Sequence, residues 1–206
     1  MPKVKEKRER ALGVRLGLKG ERCNSPKCAA VRKPYPPGMH GPVSKRRRAL
    51  SEFGRQLAEK QKFKLTYGLN EKNLLRLFKQ AEKETGSTTA KIMELLERRL
   101  DNVIFSLGFF SSRATSRQMI IHGHVTINGH RVRSPGYQVK IHDIIGFRED
   151  SKKLKWFNEM KDRIKKYEPA AWLSLDKEKV EGTIIKFPEE ASPHLEINLL
   201  VESFSK

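Results

Sequence analysis

The chain has 206 residues, with 43 Lys and Arg against 24 Asp and Glu for a formal charge of +19, and only two cysteines. That length holds one large domain or two small ones, and the charge calls for a polyanionic partner, nucleic acid ahead of a membrane surface or an acidic protein. No apolar run is long enough to span a bilayer, the start "MPKVKEKRER" has no secretory segment, and two cysteines argue for a reducing compartment over a disulfide scaffold.

The basic excess sits at the front, where residues 1–60 hold 17 Lys and Arg against 5 Asp and Glu. Residues 1–50 read as an irregular basic segment. Residues 1–10 suit a solvated tail, and "KPYPPGMHGP" cannot continue a helix or join a central strand. A helix is expected from the N-cap Ser51 to Gly68, with Leu50, Phe53 and Leu57 as its buried stripe. Asn70 caps the next, whose core stripe is Leu74, Leu75, Phe78 and Ala81 and whose stop is Gly86. One continuous third helix is expected from Thr88 or Thr89, through Ile92, Leu96, Leu100 and Ile104, to Gly108. Ser112 caps a short helix that runs to His122, with Gly123 as its stop. "HVTINGHRV" alternates around Asn128-Gly129, a strong hairpin signal. "SPGYQVKIHDIIGFRED" holds one or two short strands, 152–168 a basic amphipathic helix and "GTIIKF" a strand. "INLLVESFS" fits either a strand or a helix capped by Asn198.

Arg113 and Arg117 stand four apart on one helix face, near a helix start where backbone N–H groups also favour anions. Guanidinium forks suit phosphate. No Asp or Glu lies between residues 102 and 142, so this face is expected to be exposed and to contact RNA. Asp101 reads as a structural acceptor for a neighbouring arginine or backbone N–H. Nothing reads as catalytic. "HGH" at 122–124 lacks a third ligand nearby, Ser111, Ser112 and Ser116 lack a base, and no glycine-rich phosphate loop exists. Trp156, Trp172 and Phe187 read as packing residues.

The order "RLDN", "SRATSRQ", "HGHVTING" and "HDII" resembles the S-four RNA-binding domain. With "LKGERCNSPKCA", "RKPYPPGMHG", "LSEFGRQLAEKQKFKLTYGLNEKNL" and "PAAWLSLD" added, the chain from about residue 6 onward resembles the bacterial-type small-subunit ribosomal protein S-four family. The resemblance implies an α+β fold: a mostly helical N-terminal domain and a central module with a small antiparallel sheet. The expected division is a basic segment at 1–50, a helical domain at 51–97 completed by about 190–206, the RNA-binding module at 98–150, and an extension at 151–189 packing on it. The implied function is that of a non-enzymatic ribosomal constituent in the cytoplasm. It would bind the multi-helix junction in the 5′ domain of small-subunit (16S) ribosomal RNA early in assembly. Ribosomal protein S-five, other small-subunit proteins and mRNA near the entry path are the implied partners, with an effect on decoding accuracy and no membrane. Expected RNA contacts are Lys33, Lys45, Arg46, Arg47, Arg48, Arg55, Lys62, Lys64, Arg113, Arg117, Gln118 and Arg131. Repression of its own mRNA is the alternative role. An RNA-modifying enzyme with the same module would need a catalytic domain for which there is no room.

Many members of that family hold zinc with four cysteines. Here only Cys23 and Cys28 are present, and the earlier pair aligns with Glu6 and Glu9. His40 is the only other nearby ligand type. A structural zinc takes four ligands, so the expectation is a lapsed metal loop held by prolines, salt bridges and RNA, with no cofactor.

Overall fold

A computed structural model describes residues 5–42, 50–188 and 195–204. The chain divides into two compact units, one formed by Met1–Lys91 with Ala191–Lys206 and the other by Ile92–Glu190. Helices and one small antiparallel sheet make an α+β fold, as expected from the motif order.

In the first unit, α1 (Lys5–Leu12), α2 (Glu21–Asn24) and α3 (Ala29–Arg32) occupy a stretch expected to be irregular and to begin as a solvated tail. Arg10 explains part of the difference. Its Nε donates to Lys33 O (2.8 Å) and Tyr35 O (3.1 Å), and its guanidinium lies 5.0 Å from the Tyr35 ring centre. The proline-rich loop is thus tied to α1 through backbone carbonyls, which proline retains. Gly41 is required there, since a Cβ would come within 1.9 Å of Pro36 O.

The next helix, α4 (Glu52–Thr66), is capped by Ser51 Oγ, which accepts from Gly54 N at 3.2 Å. Its buried face is not the expected one. Leu50, Phe53 and Leu57 are 60, 70 and 44 % exposed, while Gln56, Glu59, Phe63 and Thr66 are buried. The reason lies at the other end of the chain. Gln56 Nε2 donates to Glu202 (3.1 Å) and Glu59 accepts from Glu196 N (3.3 Å), so α11 (Ile197–Glu202) and its N-cap Glu196 supply partners for Gln56 and Glu59. That settles the ambiguous C-terminal stretch as helix, with Glu196 rather than Asn198 at its N-cap. Between them in sequence, α5 (Glu71–Lys83) is capped by Asn70 Oδ1, which accepts from Asn73 N at 2.8 Å. It buries Leu74, Leu77, Phe78 and Ala81, with Leu75 at the margin of that face rather than within it. The Phe78 and Phe204 rings lie 5.1 Å apart.

The expected continuous third helix is two. α6 (Thr88–Glu97), within which the unit boundary falls, ends before Arg98, and α7 (Leu100–Ser106) begins after Arg99. Arg99 is extended (φ −63°, ψ 133°) and bridges to Gln138, while Leu100 N and Asp101 N donate to Tyr137 O (2.9 Å) and Pro135 O (3.1 Å). A loop about 35 residues downstream therefore takes over the hydrogen bonds that would have carried the helix on. α8 (Arg113–His122) follows, capped by Ser112 and stopped by Gly123 at φ 75°, as expected.

β1 (Val125–Ile127) and β2 (His130–Arg131) form the hairpin, with Asn128 and Gly129 both at positive φ (49° and 80°). β3 (Ile144–Phe147) precedes α9 (Glu149–Lys152) and α10 (Lys155–Lys165), where one longer helix was expected. β4 (Leu173–Asp176) and β5 (Glu181–Ile184) complete a sheet of order β2-β1-β3-β5-β4 among the described residues. The core beneath it includes Leu100, Ile104, Leu107, Phe109, Ile120, Ile145, Met160 and Ile184.

β5 passes close to α7. A Cβ on Gly182 would lie 2.4 Å from Leu107 Cδ1, and Leu107 is fully buried. Gly182→Ala should therefore overpack the core and lower stability by about 1–3 kcal/mol. Chemical denaturation checks this, with Gly146→Ala, a strand glycine whose Cβ would meet nothing closer than 3.5 Å, separating crowding from the backbone cost of losing a glycine.

Candidate nucleic-acid interface

The "RLDN" and "SRATSRQ" segments meet in one polar network at the start of α7 and α8. Asp101, 4 % exposed, accepts from Arg99 Nε (3.1 Å) and Nη2 (2.8 Å) in a bidentate pair. Arg117 Nη1 reaches the same carboxylate at 3.4 Å. Asn102 Nδ2 donates to Glu97 O (3.0 Å) and Glu97 Oε2 (2.7 Å), and its Oδ1 accepts from Arg113 Nε (2.7 Å). The Arg113 guanidinium also lies 4.4 Å from the Phe105 ring centre.

This corrects the expectation of a free basic face. Arg113 and Arg117 share a side of α8, but both are half-buried and held by α7. Asp101, just outside the acid-free window 102–142, supplies the partner that the window hid. It acts as the structural acceptor expected of it. Gln118, one residue on, is exposed. Arg113, fixed by its Nε, holds the rest of its fork in place, so an anion there meets a cation already oriented.

The other end of α8 forms a second cationic corner. Arg131 Nε donates to Gly123 O (3.1 Å) and Nη2 to His122 O (3.2 Å), capping the helix C-terminus. Gly123 permits this, since a Cβ there would lie 2.2 Å from Arg131 Nε. The His122 and His124 rings lie 6.2 Å apart and nearly parallel. His124 Nδ1 shares a hydrogen bond with Ser151 Oγ (2.9 Å), and its ring meets Trp156 edge-on at 5.5 Å. Burial, then the charges of His122, Arg131 and Arg148, hold its pKa below the ordinary histidine value. Of these residues only Arg131 was expected as a contact. His122, His124, Arg133 and Arg148 join it because the hairpin and the loop after β3 return to the end of α8. The positive-φ Asn-Gly pair was the one signal for that return.

In the first unit, Lys33 and Arg55 are exposed. Lys62 and Lys64 are mostly covered and pair with Glu59 and Glu71. Burial alone would raise the Glu71 pKa, but hydrogen bonds and charge from Lys64 and Lys60 outweigh it and lower it. Lys45, Arg46, Arg47 and Arg48 lie outside the described residues.

The cysteine loop does not fit a four-ligand metal. Cys23 and Cys28 are buried free thiols. Burial above all pushes the Cys23 thiol up. Glu6 pairs with Arg22 (2.9 Å) and Lys19 (3.4 Å), which outweigh its burial and lower its pKa. Glu9 Oε1 accepts from Leu16 N (3.0 Å) and Leu18 N (3.2 Å). Glu9 Oε2 is buried with no hydrogen-bond partner among the described residues. No group of three or more His, Cys, Asp or Glu side chains gathers there or elsewhere among those residues.

Residues 3–97 match the family model described as Ribosomal protein S4/S9 N-terminal domain, and residues 98–145 match the S4 domain. Small ribosomal subunit protein uS4 of Syntrophomonas wolfei is 44 % identical over 196 residues, covering 94 % of this chain and 93 % of its own. Its counterpart from Thermus thermophilus is 43 % identical with the same coverage.

Arg113→Ala strands the buried Asn102 Oδ1 and should lower stability by about 1–3 kcal/mol as well as weaken RNA binding. Arg117→Ala, whose contact is longer and more exposed, should cost under about 1 kcal/mol and lower the salt slope of RNA binding by roughly one unit. Thermal melts paired with binding over a salt series separate the two. In the cysteine loop, purified protein should carry no stoichiometric zinc by elemental analysis, and chelation should leave its melt unchanged. Glu9→Ala should lower stability by about 1–3 kcal/mol, because two backbone N–H groups lose their acceptor.

Proposed function

The chain belongs to the small ribosomal subunit protein uS4 family, and on that premise we propose that it is a structural constituent of the small ribosomal subunit which binds 16S ribosomal RNA at the multi-helix junction of the 5′ domain and helps nucleate assembly. The observation that carries this reading is the identity of 43–44 % spread over 94 % of the chain, across both family models. It acts by binding and not by catalysis, and it needs no cofactor.

The mechanism is electrostatic. A junction packs several phosphate backbones together and repels itself. Cations fixed on a folded scaffold stabilise the packed state and release condensed counterions. The 98–150 module offers two such places, the Arg113–Arg117–Gln118 side of α8 and the Arg131 corner. Its 151–189 extension supplies α10, β4 and β5 behind them. The basic N-terminal segment adds Lys33, and Lys45 to Arg48 extend it. Arg55 stands on the helical domain of residues 51–97 that 190–206 complete. A-form grooves hide base edges, so shape and backbone spacing carry recognition.

The exposed stripe Leu50, Phe53 and Leu57 supports a protein neighbour as well. Ribosomal protein S-five is the partner that the family resemblance implies, with an influence on decoding accuracy beside the mRNA path. The fold has no helix among its described residues that is long and apolar enough to cross a membrane, and the proposed location is the cytoplasmic ribosome.

Filter binding to a folded junction RNA and to a plain duplex of equal length, over a range of salt, tests the reading. The junction should bind more tightly at every salt. Reversing the charges of Lys45 to Arg48 should weaken junction binding and flatten its salt dependence. Equal affinity for both RNAs throughout would reduce the interaction to generic charge attraction and overturn the junction assignment.

A further inference from the structure

The corner at the end of α8 gathers cations without carboxylates to match them. His122 stands on α8, His124 just before β1, Arg131 on β2, Arg133 beyond it and Arg148 after β3. The charges of Arg131 and Arg148 bear on His124, and those of Arg133 and Arg148 bear on Arg131. From the elements packed around them, the acidic groups are Asp150, which pairs with Arg148 (2.8 Å), Glu149, which pairs with Lys152 (2.7 Å), Glu159 on α10, and Glu181 on β5, whose carboxylate lies over Gly146 of β3. Asp150 and Glu149 are largely exposed. Among the described residues no carboxylate pairs with His122, His124, Arg131 or Arg133.

Resting on the ribosomal RNA reading above, we propose that this corner is a proton-linked phosphate grip, in which RNA backbone binds across His122, His124 and Arg131 and the histidine pair takes up a proton as it does so. His124 is built for this. Ser151 Oγ holds Nδ1, and a hydroxyl can either donate or accept, so the ring keeps its place in the neutral and the charged form. Trp156 braces its edge. His122 is exposed beside it, and its ring nitrogens have no hydrogen-bond partner among the described residues. A histidine kept only for packing would not need a second, solvent-facing histidine and three arginines around it. A metal reading fails because no third ligand joins the pair.

The sign of the effect follows from linkage. In the free protein, burial and like charge hold His124 below its ordinary value, so it is neutral near pH 7. A phosphate placed among these groups favours the charged form of His124 and raises its pKa. A site whose proton affinity rises on binding takes up protons, and binding therefore tightens as pH falls through the interval between the bound value and the lowered free value. The same lowered value means that without RNA the fold loses stability as pH falls below the unfolded histidine value, because the unfolded chain then binds the proton more readily.

The test uses the full chain and the junction RNA at constant ionic strength. Calorimetry near pH 6.5 in two buffers of different ionisation enthalpy should show uptake of roughly half to one proton per complex. Affinity should rise about threefold to tenfold from pH 8 to pH 6. In the double variant His122→Gln, His124→Gln that rise should disappear. If the double variant melts early, His122→Gln alone should still lose part of the rise, and the imidazole proton resonances of the wild-type chain should titrate at higher pH once RNA is added. Tight junction binding with no proton uptake, unshifted histidine resonances, or an unchanged pH slope in the variants overturns the grip while leaving the ribosomal RNA reading intact. Failure of the wild-type chain to bind the junction at any pH overturns both.

Discussion

A buried carboxylate, Asp101, organises the cationic side of the second unit that carries α8. Leaving it unpaired in a dry site would cost several kcal/mol, so its surroundings must deliver cations and N–H groups to it. Arg99 delivers the bidentate pair, and to do so it leaves helical geometry. That departure ends α6 and frees the first N–H groups of α7 for the loop carbonyls of Pro135 and Tyr137. The loop is thereby fixed, and Arg117 of α8 is drawn to the same carboxylate. Asn102, one residue on, repeats the logic with Glu97 and Arg113. One acidic side chain and its neighbour thus set the angle at which α8 presents its cations.

Elsewhere the charge is divided between groups consumed inside the protein and groups turned outward. Glu6 takes Arg22 and Lys19, Glu59 takes Lys62, and Glu71 takes Lys60 and Lys64. A formal charge of +19 therefore overstates what any one surface offers and understates how local it is. Exposed cations at Lys33, Arg55, Arg131 and Arg133 are among those that a phosphate can reach without displacing a carboxylate. Exposed pairs are cheap to give up, whereas buried pairs such as Glu59 with Lys62 are not.

Local signals survived from sequence to structure where the physics is local. Ser51, Asn70 and Ser112 each cap the helix that they precede, and Asn128-Gly129 turns the hairpin, because each depends on a few neighbouring atoms. Readings that depended on distant chain failed. The break at Arg99 needs the loop around Pro135, and the buried polar stripe of α4 needs α11, which lies about 140 residues away. Apolar spacing placed Leu50, Phe53 and Leu57 inward, and nothing nearby revealed that Glu196 and Glu202 would satisfy Gln56 and Glu59 instead. The ordered start of the chain was hidden for the same reason, since Arg10 acts through carbonyls 23 to 26 residues ahead. Around α8 the spacing picked out Arg113, Arg117 and Arg131 and gave Asp101 as an acceptor for a nearby arginine, but not that Asn102 holds Arg113 or that His122 and His124 flank Arg131.

The two ends of α8 pose opposite problems for an anion. At the N-terminus the free N–H groups and the dipole already favour phosphate, and Arg113 and Arg117 add to a potential of the right sign. At the C-terminus the exposed carbonyls disfavour it. Arg131 removes that obstacle by donating to the carbonyls of His122 and Gly123, so the negative end of the helix is covered by a guanidinium. The glycine that lets the helix stop is also the residue whose missing Cβ lets the guanidinium approach. A helix of ten residues, about 15 Å long, can in this way face a polyanion along its whole length instead of at one end. A rigid cationic edge of that length suits a packed backbone better than a flexible basic tail, because its charges need no ordering when RNA arrives.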